Sequence, residues 1–317
     1  MSSKAKQIIL PLLAAFIWGT AFVAQDVCAD KIGAFTFNTL RCFAAFIVLM
    51  AIGAAIKAVK KRRGTYGAVD RTPEEKRAYR RRLIIAAVLC GTVLGIASNL
   101  QQGGMQAGTD GGKAGFITAL YIVLVPIGGL LLKKRVRPLF WLGVALAVVG
   151  LYLLCVSGEF RLSTGDLLTL ACAFAFAVQI LLIDRFSPSL DSVDLCAAEF
   201  FVAGIWSLAG MLLFERPDWT AISACVPQIL YVAVFSSGVA YLLQIVAQRE
   251  GDPAIVSLLF SMEAVFAVLA SAVILGTRMT AREYAGCALM LCAVVISQLP
   301  ERGRTEEEAA GEQDSRL

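Results

Sequence analysis

Apolar runs of roughly 20 residues, each the length a helix needs to cross a hydrocarbon core, follow one another along almost the whole chain. About ten can be drawn, at 8–25, 35–56, 83–105, 114–132, 139–157, 167–183, 195–214, 226–247, 254–276 and 284–299. Such runs cannot all be buried in a water-soluble fold, and 58% of the 317 residues are apolar while 17% are charged. Soluble domains sit near roughly 45–50% and 25%. The chain therefore reads as an all-α integral membrane protein in which lipid solvates most of the surface, and whatever it does must be done inside the membrane. Lys4 and Lys6 ahead of the first run would suit a secretory signal. However, Trp18, Gly19 and Thr20 lead on into further apolar residues with no small-residue cleavage site, so the run is read as a retained helix.

Orientation follows from the placing of positive charge, because short loops rich in Lys and Arg stay in the cytoplasm. With the N-terminus inside, the connection 57–82 holds Lys57, Lys60, Lys61, Arg62, Arg63, Arg71, Lys76, Arg77, Arg80, Arg81 and Arg82, and the fourth holds Lys133, Lys134, Arg135 and Arg137. Most of the 29 basic residues then face inward. Ten crossings return the C-terminus, with Glu306, Glu307 and Glu308, to the same side. This predicts a multi-pass protein of a bacterial-type inner membrane with both termini cytoplasmic and a disordered charged tail over 301–317. The basic connection could be a nucleic-acid or anionic-lipid patch, but it lacks interleaved aromatics and any nucleic-acid motif, so it is read as a topological signal with at most incidental lipid contact.

Internal repetition is visible. At one common offset Phe16 falls on Phe174, Asp26 on Asp184, Arg41 on Glu199 and Phe43 on Phe201; at a second, Gly95 falls on Gly238, Gln101 on Gln244, Gly108 on Gly251, Arg135 on Arg278 and Gly143 on Gly286. The difference between the offsets is absorbed by the long basic connection. Two five-helix units follow, 1–157 and 158–300. An odd number of crossings per unit makes the second inverted relative to the first.

The local patterns Phe16-Ile17-Trp18-Gly19-Thr20-Ala21-Phe22, Ala114-Gly115-Phe116-Ile117-Thr118-Ala119-Leu120-Tyr121 and Ser261-Met262-Glu263-Ala264-Val265-Phe266-Ala267 resemble those of the EamA-type family of the drug/metabolite transporter superfamily. Ala264 stands where the family commonly has Pro, and Gly276-Thr277-Arg278 where it has Gly-Glu-Arg. The resemblance implies a central cavity lined by helices one to four and six to nine, with five and ten peripheral. It also implies secondary transport of small polar metabolites, with export of amino-acid-like compounds favoured by analogy.

From the residues themselves, site candidates are polar groups inside apolar spans, since a charge at depth is costly and faces a cavity or a partner. Arg41, Glu199 and Glu263 stand out; a guanidinium suits a carboxylate or phosphate, and a pairing of Arg41 with a Glu is the structural alternative. With no histidine in the chain, a coupling proton would have to ride on Glu263 or Glu199. Trp18, Asn38, Gln101, Tyr121 and Gln244 complete the expected substrate-binding set, and Asn99, Gln102, Gln106, Gln179 and Tyr241 form a second tier. Gln101 and Gln244 occupy repeat-equivalent places, so both should face the centre if either does. The spacings Gly91 to Gly95, Gly104 to Gly108 and Gly111 to Gly115 suit close helix packing.

The run 108–114 lacks the first Gly and the Ser or Thr of a phosphate loop, which removes nucleotide hydrolysis. Nine scattered cysteines form no CxxC pair. No cofactor or metal is implied, and with neither HExxH nor GxSxG an enzyme is disfavoured. A non-transporting scaffold or receptor-like bundle is the remaining alternative, against which charges kept at depth argue.

Overall fold

The computed structural model describes residues 3–63, 72–109, 111–133, 136–155, 163–275 and 279–299, and among them every regular element is helical. Part of the basic connection (64–71), Asp110, Arg135, Gly276-Thr277-Arg278 and the tail 301–317 lie outside the described residues. Ten rods result. The first three are α1 (Ser3–Ala29), α2 (Ala34–Arg62) and α3 (Pro73–Gln106). The fourth is broken into α4 (Gly111–Ala119) and α5 (Tyr121–Leu131), and the fifth to seventh are α6 (Pro138–Cys155), α7 (Thr164–Phe186) and α8 (Ser192–Phe214). The eighth runs through α9 (Trp219–Tyr231), a π-helical stretch Val232–Ala240 and α10 (Tyr241–Glu250). The ninth is broken into α11 (Pro253–Phe260) and α12 (Glu263–Leu275), and the tenth is α13 (Ala281–Gln298). Among the described residues eight rods are long and apolar enough to cross a membrane, and Pro138–Leu154 is a shorter apolar helix.

The helices outrun the apolar segments. α2 continues through Lys57, Lys60, Lys61 and Arg62, and α3 begins well before Leu83. Hydropathy marks where lipid begins, whereas a helix persists into water wherever its first N–H groups find acceptors. At α3 the Thr72 hydroxyl accepts from Glu75 N while Glu75 Oε2 accepts from Thr72 N at 2.8 Å, with Pro73 ahead in a position that has no N–H to satisfy. Ser163 with Asp166 and Thr280 with Glu283 repeat this device on α7 and α13. Asp218 caps α9, which therefore starts at Trp219 rather than at 226.

The first five and last five rods interleave. α2 packs on α8, α3 on both α7 and α8, α1 on α12, α10 and the π-helical stretch, and α6 along α13, whereas α2 and α3 touch one another little. The core is thus largely a contact between the two fives. Glycine permits two of these approaches: a Cβ on Gly91 would stand 2.6 Å from the Glu199 carbonyl oxygen, and one on Gly286 would stand 2.7 Å from the Gly150 carbonyl oxygen. The other expected glycine spacings divide. Gly95 faces α8, whereas Gly115 has open space beside it and Gly108, at φ +95°, terminates α3 instead of packing.

Ties across the interleaved fives close both faces. On the face away from the basic ends of α2 and α3, Lys113 Nζ meets Asp166 Oδ2 at 2.6 Å while Thr109 donates to Asp166 Oδ1 at 2.9 Å, joining the α3–α4 corner to α7. Glu215 beyond α8 accepts from Phe35 N and Thr36 N at the start of α2. On the basic face Tyr79 of α3 donates to Asp194 of α8 at 2.9 Å.

Candidate substrate cavity

Between these two closures lies a cavity of about 50 Å³, at the junction of α1 to α4 with α7, α10, α11 and the break before α12. That is room for roughly three to five waters. Its wall is built from side chains that the surrounding rods turn inward, so many of the polar groups that would be costly against lipid face one hollow.

Arg41, 3% exposed, reaches in from α2. Its Nη1 donates to Gln25 Oε1 at 2.9 Å and Nη2 to Ser98 Oγ at 3.4 Å, Phe37 one turn back stands 6.0 Å under the guanidinium, and Nε has no partner. Among the described residues no carboxylate lies within ion-pair distance of it. The structure therefore removes the simple structural alternative of an Arg–Glu brace. Gln25 is in turn held from α3, where Gln102 Nε2 donates to its carbonyl at 3.3 Å.

Glu263 is the first residue of α12, just past the break at Ser261 and Met262, and its Oε1 accepts from the Tyr121 hydroxyl at 3.2 Å. Tyr121 is itself the first residue of α5, after the break at Leu120. Both interrupted rods thus begin their second half at the cavity wall.

Trp18 of α1 donates its indole N–H to the Ser236 carbonyl at 3.3 Å, an acceptor turned toward it by the π-helical stretch. Its ring meets Tyr241 and Phe260 edge to face, both at 5.1 Å, and Tyr241 meets Phe200 at 5.0 Å. Trp18, Tyr241 and Phe260 form part of the cavity wall, with Phe200 behind Tyr241. Gln101 donates to Thr118 at 3.2 Å. Gln244 donates to Gln179 and to Gln248, both at 3.0 Å, and its own carbonyl oxygen has no partner.

Six of the eight expected residues, Arg41, Glu263, Gln101, Gln244, Trp18 and Tyr121, line the cavity, joined by Gln179 and Tyr241 from the second tier. The repeat-equivalent Gln101 and Gln244 do so together. Two do not: Glu199 stands behind the wall, fully buried, reached by Gln179 Nε2 at 3.4 Å, and Asn38 ties α2 to α3 by donating to the Ser98 carbonyl and Asn99 Oδ1, both at 3.1 Å. Of the remaining second-tier residues, Asn99 braces α3 to Ser207 of α8 and Gln106 is exposed at the end of α3. Interhelical bonds of this kind average about 0.6 kcal/mol in a membrane. Asn38→Ala is accordingly expected to lower the unfolding free energy in detergent by about 1 kcal/mol and leave ligand affinity unchanged, as thermal unfolding beside a binding assay would read.

Gln25, Thr118, Ser236, Phe22, Phe176, Ile180 and Phe260 also line the cavity and were not expected. Gln25 looked like the end of its span; since α1 runs on to Ala29, it lies a turn deep. Thr118 and Ser236 carry no signal in a sequence, because small hydroxyls sit unremarked in any membrane helix.

The model of the EamA-like transporter family matches this chain twice, over residues 5–156 and 163–298. An uncharacterized transporter of Archaeoglobus fulgidus is 30% identical over 295 residues, covering 90% of this chain and 84% of that one. One from Synechocystis is 24% identical over 302 residues, covering 89% and 86%. A solved crystal structure, 17% identical, superposes with a TM-score of 0.74 over 93% of this chain and 96% of that one, and so has the same fold. The family and the relatives point to a transporter rather than an enzyme. Matched by the family model along both fives, the chain belongs to the EamA-like transporter family of the drug/metabolite transporter superfamily.

Proposed function

We propose that this membrane transporter is a secondary carrier exporting small polar metabolites that bear a carboxylate, amino-acid-like compounds foremost, by alternating access. The observation that carries the reading is Arg41, a guanidinium buried at depth, facing the cavity, with an unpartnered Nε and, among the described residues, no carboxylate within ion-pair distance. A buried cation without a counter-charge is expensive, and a substrate carboxylate entering the cavity supplies one through two parallel hydrogen bonds. Glu263 with Tyr121, and the free carbonyl of Gln244, offer acceptors to an amino or hydroxyl group of the same substrate, and Gln101 and Trp18 complete the wall. Glu199 and Asn38 then support the site without touching the substrate. Residues 1–157 and 158–300 act as the two repeats that move against each other, 301–317 as a tail, and the chain sits in the inner membrane with both termini in the cytoplasm, where the Lys and Arg distribution supports them.

The cavity as described admits a few waters, so binding requires the rods to part at one face while ties such as Lys113 to Asp166 or Tyr79 to Asp194 hold the other. Glu263 is the proposed carrier of a coupling proton, handed on by Tyr121. Flux of radiolabelled amino acids in proteoliposomes tests both ideas. An imposed pH gradient is expected to accelerate the parent at least tenfold, and Glu263→Gln is expected to keep binding while losing that acceleration. Equal rates with and without the gradient would remove proton coupling and leave a facilitator; no saturable flux of any amino acid would remove the substrate class.

A further inference from the structure

α3 carries a second polar feature that the transport cavity does not use. Arg77, Arg80 and Arg81 fall on one face of the helix at spacings of three and four, and together with Ile84 and Ile85 they line an open, shallow stretch of the surface. All three arginines are exposed, and among the described residues no carboxylate lies within ion-pair distance of any of them. The nearest acidic residues along the helix are Glu74 and Glu75, and Glu75 is engaged in the cap with Thr72. The same face continues as an aliphatic stripe that no other rod covers: Ile84 is 54% exposed, and Val88, Leu89 and Ile96 are exposed beyond it.

Depth decides what such a surface meets. Charged residues stop at Arg82, so the hydrocarbon begins near Leu83. At ~1.5 Å per residue, Arg81 lies about 3 Å and Arg77 about 9 Å above that boundary, whereas the headgroup layer is roughly 5–8 Å deep. Arg80 and Arg81 therefore stand within the headgroup layer and Arg77 at its outer edge, within a side chain's reach of the phosphates, while Ile84 and Ile85 stand where acyl chains begin.

We infer that this face of α3 is a binding site for an anionic phospholipid, its phosphate held by Arg77, Arg80 and Arg81 and its acyl chain laid along Ile84, Ile85 and Val88. A free phosphate would use the arginines alone and leave the aliphatic border unexplained. The inference is independent of the proposed substrate, since it concerns the outer surface of a different part of α3.

The test is a titration of the purified full chain in detergent, with lipid binding followed by native mass spectrometry and thermal unfolding. Phosphatidylglycerol, phosphatidylcholine and soluble glycerol 3-phosphate are the three probes. The parent is expected to bind phosphatidylglycerol at least tenfold more tightly than phosphatidylcholine, to gain several degrees of melting temperature with it, and to show no shift with glycerol 3-phosphate. The triple variant Arg77→Gln/Arg80→Gln/Arg81→Gln is expected to lose about 100-fold in affinity for phosphatidylglycerol, ~2.8 kcal/mol at 1.4 kcal/mol per tenfold. It keeps Lys57, Lys60, Lys61, Arg62, Arg63, Lys76 and Arg82 in the same connection, so its orientation signal survives. Equal affinities of the parent for the two lipids would overturn the proposal even if the variant did not fold. So would undiminished binding by a folded variant, or a glycerol 3-phosphate response equal to that of the lipid.

Discussion

Replacing Arg41 by Ala is expected to lower transport of carboxylate-bearing substrates at fixed concentration by about 10- to 150-fold, the equivalent of losing one charge-assisted hydrogen-bonded pair worth ~1.5–3 kcal/mol. The loss is expected in the substrate Kd, read by isothermal titration or by competition in detergent, because the guanidinium is pre-placed by Gln25 and Ser98 before any ligand arrives. Arg41→Lys keeps the charge but gives up the planar fork, and is expected to retain only part of the affinity. An uncharged analogue, in which an amide replaces the carboxylate, should bind parent and Arg41→Ala alike. Should Arg41→Ala bind and carry the carboxylate substrate as the parent does, the guanidinium is structural and the proposed substrate class is wrong.

The second large effect is expected at Gly19, in a place with no ligand contact of its own. A Cβ there would stand 2.6 Å from the Glu263 carbonyl oxygen and 2.8 Å from Ala267 N, both backbone atoms of the rod facing α1. Backbone cannot rotate away, so Gly19→Val forces α1 off α12, and overpacking of this kind costs typically ~1–3 kcal/mol. The displacement falls on the two sides of the cavity at once, because Trp18 precedes Gly19 and Glu263 begins α12. Transport is expected to fall at least tenfold and the melting temperature in detergent by several degrees. A variant that melts like the parent and transports normally would mean that the contact between α1 and α12 is slack.

How much of this could be read from the chain alone depends on which property each residue advertises. The rods were legible because solvation by lipid leaves a run of apolar residues that nothing else explains. Arg41 and Glu263 were legible for the converse reason, as charges have few excuses at that depth. The pairing of Gln101 with Gln244 followed from the repeat, and the structure puts both on the cavity wall. Glu199 shared Arg41's repeat position yet stands behind Gln179, because the repeat relates positions along two helices and not the rotamers or neighbours that finish a wall. Gln25 is missed because hydropathy ends α1 early, and Ser236 because its contribution is a carbonyl exposed by a π-helical stretch, a backbone property that no residue type announces. The breaks at Leu120 and at Ser261-Met262 were likewise invisible: Ala264 stands where a proline would have signalled the second.

The interleaving of the two fives has a consequence for biosynthesis. Since α1, α2 and α3 find their principal neighbours in α12, α8 and α7, the ribosome delivers the first five helices before most of their partners exist. Arg41 can already reach Gln25 and Ser98, and Gln101 can reach Thr118, all within the first five, so these polar groups are matched early, whereas the close packing of α1 to α3 must wait until the final helices emerge.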